Sequence, residues 1–210
     1  MHHIHTTPGF IIQARPYGEA GKMLFIFTRE FGLIMAAAQG IRLERSKLRY
    51  YTQEHAMGMF SLVKGREMWR LTSAAPFSLR TFPLRATQSG KVHPRSGGEM
   101  AISQSLIARL AQLLRRLLQG EEAHPEVFDV IKACVDFVGE REDLNAAQLA
   151  AIESLTVARI LHWLGYIGDD LELSGHIRSF EITSDLVDLL KEKRTILNKH
   201  INKALKESMM

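Results

Sequence analysis

The feature that most constrains the fold is a change of hydrophobic period part-way along the chain. Between residues 6 and 74, apolar and polar side chains alternate over short runs that are separated by glycine-containing turns. From residue 100 onward, apolar residues recur at intervals of three and four instead. A period of two is typical of strands and a period near 3.6 is typical of amphipathic helices. The pattern therefore predicts a β-rich first part and a helical second part.

The first part is predicted to hold five strands, at residues 6–16, 22–28, 33–39, 55–63 and 67–73. The second run, KMLFIFT, is apolar on both faces, as expected at the centre of a small barrel. Lys64-Gly65-Arg66 predicts a hairpin between the last two strands. Five strands in this length suit a small closed barrel such as the OB-fold. We therefore predict an α+β chain, with an N-terminal OB-fold β-barrel followed by an all-α helical domain.

Four helical patterns follow a stretch rich in glycine, serine and proline at residues 86–98. The predicted domains are an OB-fold nucleic-acid-binding domain at 1–80, a flexible connection at 81–99 and a helical domain at 100–210. The helix boundary signals are Ser96-x-x-Glu99 and Gly120 for the first helix, Pro125 and Gly139 for the second, Asn145-x-x-Gln148 and Gly165 for the third, and Thr183 or Ser184 for the last.

Composition narrows the class of protein. Hydrophobic residues make up 46% and charged residues 24% of the chain, which is typical of a globular protein. No apolar run approaches the roughly 20 residues that a membrane-spanning helix needs, and the opening residues resemble no secretory signal. The single cysteine, Cys134, fits a reducing compartment. We therefore expect a cytoplasmic protein without a membrane span.

Positive charge is concentrated in the first part of the chain. Residues 1–80 carry eleven Lys and Arg against five Asp and Glu, whereas the remainder carries 16 against 18. Guanidinium and ammonium groups neutralise phosphates, and tyrosine rings can carry stacked bases. The segment 40–51 combines both kinds of side chain with a single acid, and its members are Arg42, Arg45, Lys47, Arg49, Tyr50 and Tyr51.

The composition of this segment fits two interpretations equally well. One is a track for single-stranded nucleic acid, and the other is a solvated basic loop whose tyrosines fold onto the barrel. Alternation along the last strand places Trp69 and Arg70 on opposite faces, and we predict that Trp69 is buried and Arg70 is exposed. Further cations at strand ends would extend the track, namely Lys22, Lys64, Arg66 and Arg70.

Signatures of catalysis and of cofactor binding are missing from the sequence, which predicts neither catalytic residues nor a cofactor. Cys134 lies on the apolar stripe of a predicted helix and is expected to be an inert core residue. His2, His3 and His5 lie near the start of the sequence without cysteine or carboxylate partners, so no physiological metal site is expected there.

Two alternatives to nucleic-acid binding remain open. One is a small enzyme with a site assembled from scattered polar residues such as Glu19, His55 and Glu67. The other is a protein-interaction adaptor whose basic barrel face meets an acidic partner instead of DNA.

The order and spacing of several short segments carry a resemblance to a known family. In the barrel region these are RPYGE at 15–19, LFIFTREFG at 24–32, QGIR at 39–42, SKLR at 46–49, LVKGRE at 62–67 and LTSA at 71–74. In the helical region they are HPEVF at 124–128 and ARILHWLGY at 158–166. Together they resemble the bacterial DNA repair protein RecO family over most of the chain.

The resemblance implies an OB-fold and a helical domain in a DNA repair and recombination mediator of the RecF pathway, without catalytic turnover and associated with the nucleoid. It implies binding of single- and double-stranded DNA and annealing of complementary strands. It also implies that the chain works with RecR to load RecA onto DNA coated by the single-stranded DNA-binding protein SSB. The family's helical domain receives the acidic C-terminal tail of SSB, and available cations there are Arg109, Arg115, Arg116 and Lys132.

The sequence departs from the family pattern at four places. Gln39 stands where a lysine is common, and Glu54-His55 replaces the usual proline-aromatic pair before the fourth strand. Many relatives carry a four-cysteine zinc module after the position of Tyr166, whereas residues 167–172 contain no cysteine, so zinc is not expected. The segment 86–98 is unlike the family and is expected to be an insert.

Overall fold

The computed structural model describes residues 3–77, 97–141, 143–168 and 173–207, with the side chains of 97–102 left out of account. The described chain forms two compact units, one with residues 3–77 and 107–128 and the other with 97–106, 129–141, 143–168 and 173–207. Most of the predicted connection at 81–99, including the insert at 86–96, lies outside the described residues. The predicted domain boundaries stay a prediction.

Five strands form a closed barrel in the order β1-β2-β3-β5-β4, which confirms the predicted OB-like fold. All neighbouring pairs are antiparallel except β3 and β5, whose parallel pairing closes the barrel. Closure gives each strand two neighbours, although β3 and β5 are paired at only two positions. The strands are β1 (Ile4–Tyr17), β2 (Gly21–Thr28), β3 (Gly32–Ala38), β4 (Met57–Lys64) and β5 (Trp69–Pro76).

The long first strand belongs to two sides of the barrel. Its first half pairs with β4 and its second half pairs with β2, and the register shifts between Ile11 and Gln13. An extra residue at such a bulge bends a strand and increases its twist, which lets one strand serve both neighbours. The alternation along β2 then places Leu24 and Ile26 in the core, and the prediction for β5 is confirmed because Trp69 is buried and Arg70 is exposed.

The fourth strand starts two residues later than predicted. His55 takes a positive φ of 66°, so regular pairing cannot begin there. Its N–H donates to the carbonyl of Ile11 at 2.8 Å, and Ile11 donates to the carbonyl of Ala56 at 2.9 Å. The Glu54 carboxylate accepts from the N–H of Ala14 at 2.9 Å. The unusual Glu54-His55 pair therefore docks the loop onto the bulged part of β1.

The four predicted helices are confirmed, and two short helices were not predicted. The capping box at Asn145 and Gln148 forms as expected, and the Thr183 hydroxyl accepts from the N–H of Leu186. The first long helix begins at Gly97, directly after Ser96 of the predicted boundary signal. The helices are α1 (Leu48–Tyr51), α2 (Gly97–Leu117), α3 (Pro125–Glu140), α4 (Ala146–Trp163), α5 (Ser174–Arg178) and α6 (Ser184–Glu207).

The core of the helical unit holds one thiol and one guanidinium. Cys134 is buried as predicted, and burial raises the pKa of its thiol to about 11. Arg159 on α4 is fully buried and donates to backbone carbonyls of the segment that follows Leu173. Within the described residues, no helix combines the length and apolar character that crossing a membrane requires.

Candidate nucleic-acid interface

The basic loop, residues 39–56 between β3 and β4, is a chain of turns that contains α1. Gly40 has a φ of 65°, which a glycine adopts without strain, and the N–H of Leu43 donates to its carbonyl at 3.2 Å. Further turn bonds run from Ser46 to Leu43 and from Arg49 to Ser46. The predicted loop is therefore more regular than its composition indicates, because its backbone groups are largely paired locally.

Apolar anchors fix the basic loop to the barrel. Ile41 is fully buried in the barrel core, and Leu48 and Tyr51 pack against the same core. On the other side, Arg42 donates from its backbone N–H to the carbonyl of Ala20 at 2.9 Å and from its guanidinium to the carbonyl of Glu19 at 3.3 Å. The loop therefore lies against the β1–β2 turn, and the predicted cations Arg42, Arg45, Lys47 and Arg49 are all exposed around it.

The two adjacent tyrosines have different surroundings. Tyr50 is 55% exposed. Tyr51 is half-buried and packs against the barrel core, as the alternative of a folded loop predicts. Because stacking on a base needs an open ring face, Tyr50 is the better placed of the two for that role.

A second group of cations lies on the outer surface of the barrel. The strand register aligns Arg15, Met23, Ala37 and Arg70 in one row across four strands, and residues directly opposite each other point to the same face. Both arginines are exposed. This row crosses β2 near its start and β3 near its end. The β1–β2 turn and the basic loop lie at that same end of the barrel.

An aromatic ring anchors two of the outer arginines. The Cζ atom of Arg15 lies 5.5 Å from the centroid of the Phe25 ring, and the Cζ atom of Arg115 on α2 lies 6.0 Å from it. Attraction between a guanidinium and a ring face is worth about 0.5–1 kcal/mol at an exposed site. Phe25 therefore holds two positive charges beside each other on the outer face of β2, next to Met35, which is 48% exposed.

The other predicted cations differ in their exposure and in their partners. Lys22 is half-buried, and alternation along β2 places it on the same face of the strand as the core residue Leu24. It therefore lies at the end of the barrel and not in the outer row that contains Arg70. Lys64 donates to the Glu121 carboxylate at 2.8 Å, and this bond lowers the pKa of Glu121. Arg66 is exposed in the β4–β5 turn. Lys64 and Arg66 adjoin the start of β1, away from the basic loop.

Most of these cations carry charge that no acid neutralises. In the part of the chain that the structure describes, a set of exposed or half-buried cations has no carboxylate partner. Lys64 and Lys132 differ from this set, because Lys64 pairs with Glu121 and Lys132 pairs with Asp136 at 2.6 Å. Clustered unpaired cations raise the local concentration of polyanions. The members of this set on the first unit are Arg15, Lys22, Arg42, Arg45, Lys47, Arg49, Arg66, Arg70 and Arg115.

The three polar residues of the enzyme alternative are placed apart. Glu19 lies in the turn that follows the end of β1, whereas Glu67 lies in the β4–β5 turn beside the start of β1. His55 stacks on Phe10 with ring centroids 6.4 Å apart, and burial lowers the pKa of its imidazole. The strand register therefore does not assemble these side chains into one site.

A family model described as the recombination protein O N terminal matches residues 1–80, which contain the whole barrel and the basic loop. Residues 1–80 belong to the RecO family. The DNA repair protein RecO of Clostridium perfringens (strain 13 / Type A) is 41% identical over 159 residues, which cover 75% of this chain and 57% of that protein. The DNA repair protein RecO of Desulfitobacterium hafniense (strain Y51) is 24% identical over 163 residues, covering 78% and 52%. The chain spans about half the length of the curated relatives it matches.

Three residues of this RecO-family interface were not among the predicted site residues. Arg15 could have been found, because it follows the alternating pattern of β1 on the exposed side. Phe25 lies in a run that is apolar on both faces, and the sequence does not say which aromatic faces outward. Arg115 was predicted only as a cation of the helical domain, whereas the structure places it against Phe25 of the barrel.

Proposed function

We propose that this RecO-family chain is a DNA repair and recombination mediator that binds single- and double-stranded DNA and anneals complementary strands. The observation that carries the proposal is the group of unneutralised cations formed by the basic loop and the neighbouring arginines Arg15 and Arg70. We further propose the partners that the family resemblance implies, namely RecR, RecA and the C-terminal tail of SSB, and a cytoplasmic, nucleoid-associated location.

The proposed mechanism needs only charge and exposure. Two complementary strands repel each other through their phosphates, and base pairing must wait until they meet. Contacts to phosphates position a strand without reading its sequence, and they leave the base edges free. A surface that neutralises the backbones therefore lowers the barrier to annealing without making or breaking a covalent bond. Binding through phosphates is also expected to be weakly sequence-selective and sensitive to salt.

The first prediction concerns the four cations of the basic loop. We expect the variant with Arg42, Arg45, Lys47 and Arg49 all changed to Ala to bind a single-stranded oligonucleotide with a flatter salt dependence. Each phosphate contact contributes roughly −0.7 to the slope of log K against log salt, so four lost contacts would reduce its magnitude by roughly 3. Affinities measured between about 50 and 200 mM salt give the slope.

A charge-preserving variant is the matched control for the basic loop. Exchanging arginine for lysine and lysine for arginine at the same four positions keeps every charge and should keep the slope. An unchanged slope in the alanine variant would show that the loop is not the track. Stronger binding of an acidic peptide than of the oligonucleotide, with the same loss in the alanine variant, would favour the adaptor alternative.

The second prediction concerns the ring that anchors two arginines. Phe25→Leu keeps an apolar side chain but removes the ring under Arg15 and Arg115. Loss of two exposed cation–π contacts frees both guanidiniums, and we expect oligonucleotide affinity to fall about three- to tenfold. The salt slope should stay the same, because no charge is removed.

Met35→Leu is the control for the ring, because Met35 is the β3 neighbour of Phe25 in the register and its side chain is exposed. It changes the apolar surface without touching a cation, so the affinity should not change. Equal affinities for the two variants would mean that the ring does not organise the binding surface.

A further inference from the structure

The outer face of the barrel carries a mixed aromatic and cationic patch beside the β1–β2 turn. Alternation along the paired strands places Arg15 and Tyr17 of β1 on the same face as Met23 and Phe25 of β2. Met23 lies directly opposite Arg15 and is the diagonal neighbour of Tyr17, a separation that an aromatic side chain can bridge. The members of this patch, named here the outer patch, are Arg15, Tyr17, Met23, Phe25 and Arg115, the last of which comes from α2.

The side chain of Tyr17 has no partner across the ranges that the structure describes. It is 45% exposed, and it makes no hydrogen bond, ring contact or cation–π contact there. The residue directly opposite on β2 is Gly21, which has no side chain to cover the ring. A Cβ atom at Gly21 would lie 2.6 Å from the carbonyl oxygen of Tyr17, so that position must stay bare. Packing within the barrel therefore does not account for this ring.

Positive charge lies on either side of Tyr17 along the barrel. Towards the middle of the strands, Phe25 holds the guanidiniums of Arg15 and Arg115, whose Cζ atoms lie 5.5 and 6.0 Å from the centroid of its ring. At the end of the strands, the turn that follows Tyr17 accepts two hydrogen bonds from Arg42 of the basic loop, at 2.9 and 3.3 Å. The outer patch therefore adjoins the basic loop, and phosphates bound there would lie close to the ring.

An exposed ring between cations matches one kind of polyanion best. Unpaired bases stack on aromatic rings and on guanidinium planes, while the phosphates beside them contact the cations. A duplex keeps its base faces inside its own stack, so it can use the cations of the outer patch but not the ring. The carboxylates of an acidic peptide likewise need only the cations. The combination of ring and cations therefore favours a single strand.

We propose that Tyr17 stacks on an unpaired base, and that the outer patch thereby makes the chain prefer single-stranded to double-stranded nucleic acid. This inference rests on the proposed function, because the cations that attract the phosphates belong to the proposed DNA-binding surface. Those cations attract both forms of DNA, whereas the ring holds only the single strand. Base pairing then withdraws the base from the ring, which weakens the hold on the annealed product.

The test compares Tyr17→Ala with Tyr17→Phe in the full chain. Each variant is titrated with a fluorescent single strand of about 15 nucleotides, within the site sizes of single OB-folds, and with a duplex of the same sequence and length. Tyr17→Phe is the matched control, because it keeps the ring and removes only the hydroxyl. Urea unfolding of both variants and of the unmodified chain shows whether the barrel is intact.

We expect Tyr17→Ala to bind the single strand about tenfold more weakly and to bind the duplex as the unmodified chain does. Tyr17→Phe should match the unmodified chain with both ligands. The salt slope should be the same in all three chains, because no charge is removed. In the loop alanine variant, both affinities should fall together, so the ratio between them reports the ring alone.

A crosslink gives a second measurement that needs no variant. A single strand that carries 5-iodouracil should crosslink to Tyr17 of the unmodified chain under ultraviolet light, and mass spectrometry of the digested product identifies the residue. The duplex with the same label should give no crosslink at Tyr17. Should Tyr17→Ala unfold at a lower urea concentration than Tyr17→Phe, the crosslink decides, and its absence from the single strand would overturn the inference.

Three further results would count against the inference. Equal losses of affinity for the single strand and the duplex in Tyr17→Ala, or no loss for either, would overturn it and leave the proposed function standing. A loss confined to an acidic peptide would assign the outer patch to a protein partner instead. Binding of neither nucleic acid by the unmodified chain would overturn the proposed function itself, and the inference with it.

Discussion

Replacing Arg159 by methionine is expected to lower the free energy of unfolding by about 3–4 kcal/mol, because a buried guanidinium is the hydrogen-bond partner of three backbone carbonyls. Its Nε and Nη2 atoms donate to the carbonyl of His176 at 3.0 and 2.8 Å. Nη1 donates to Phe180 at 3.2 Å, and Nη2 donates to Glu181 at 2.8 Å. Methionine is unbranched and apolar, but it is shorter and has no donor, so these carbonyls would lose their partner.

The charge of Arg159 persists despite its burial. Desolvation lowers the pKa of the guanidinium to about 10, which still leaves it charged at neutral pH. The carbonyl oxygens offset part of the cost of burying that charge, because they arrange their partial negative charges around it. The segment from His176 to Glu181 runs from the end of α5 into irregular backbone, and the guanidinium fixes it to α4 together with the ring of Phe180, which stacks on Trp163 at a centroid distance of 5.7 Å.

Urea unfolding followed by far-ultraviolet circular dichroism measures the effect of Arg159→Met. Arg159→Lys keeps the charge but replaces the planar fork by a single ammonium group, and it should lose part of the same free energy. Arg66→Met, in an exposed turn, should stay within about 0.5 kcal/mol of the unmodified chain. An unfolding midpoint for Arg159→Met equal to that of Arg66→Met would contradict the proposed role of the buried guanidinium.

Arg159 also illustrates what the sequence could and could not predict. The period of two predicted the five strands, and the period near 3.6 predicted the four long helices, because burial of one face imposes each repeat. The helices α1 and α5 were missed because four or five residues are too short to show a period. In the sequence, Arg159 is only a charge that interrupts an apolar stretch. Its hydrogen-bond partners are backbone carbonyls, which every residue type provides. No sequence pattern therefore predicts which carbonyls it binds.

Only the part of the candidate interface that is formed by neighbouring residues in the sequence was predictable. The basic loop is a contiguous segment, so its composition was enough to propose it. The contact of Arg115 with Phe25 and the ion pair of Lys64 with Glu121 join residues that are far apart in the sequence. Whether a cation is neutralised depends on such distant partners.

The second large loss of stability is expected at Gly32, where the start of β3 lies against residues 120–122 of the same unit. Gly32 begins β3 with a φ of 66°, a conformation that costs other residues about 1–2 kcal/mol. In addition, a Cβ atom at this position would overlap the backbone of Glu122. The next residue, Leu33, donates to the carbonyl of Gly120 at 3.1 Å, so the backbones run side by side. Gly32→Ala should therefore displace the segment 120–122 and lower the free energy of unfolding by about 3 kcal/mol.

Gly18→Ala separates the two causes of this loss. Gly18 has a nearly equal φ of 61°, but nothing lies within 4 Å of the position where its Cβ would be. It should lose only the conformational part, about 1 kcal/mol, when both variants are unfolded in urea. The excess loss at Gly32 then measures the close approach of residues 120–122, which include Glu121, the partner of Lys64 and Trp69. Equal losses at the two glycines would mean that the segment yields freely, and that these two hydrogen bonds do little to hold it on the barrel.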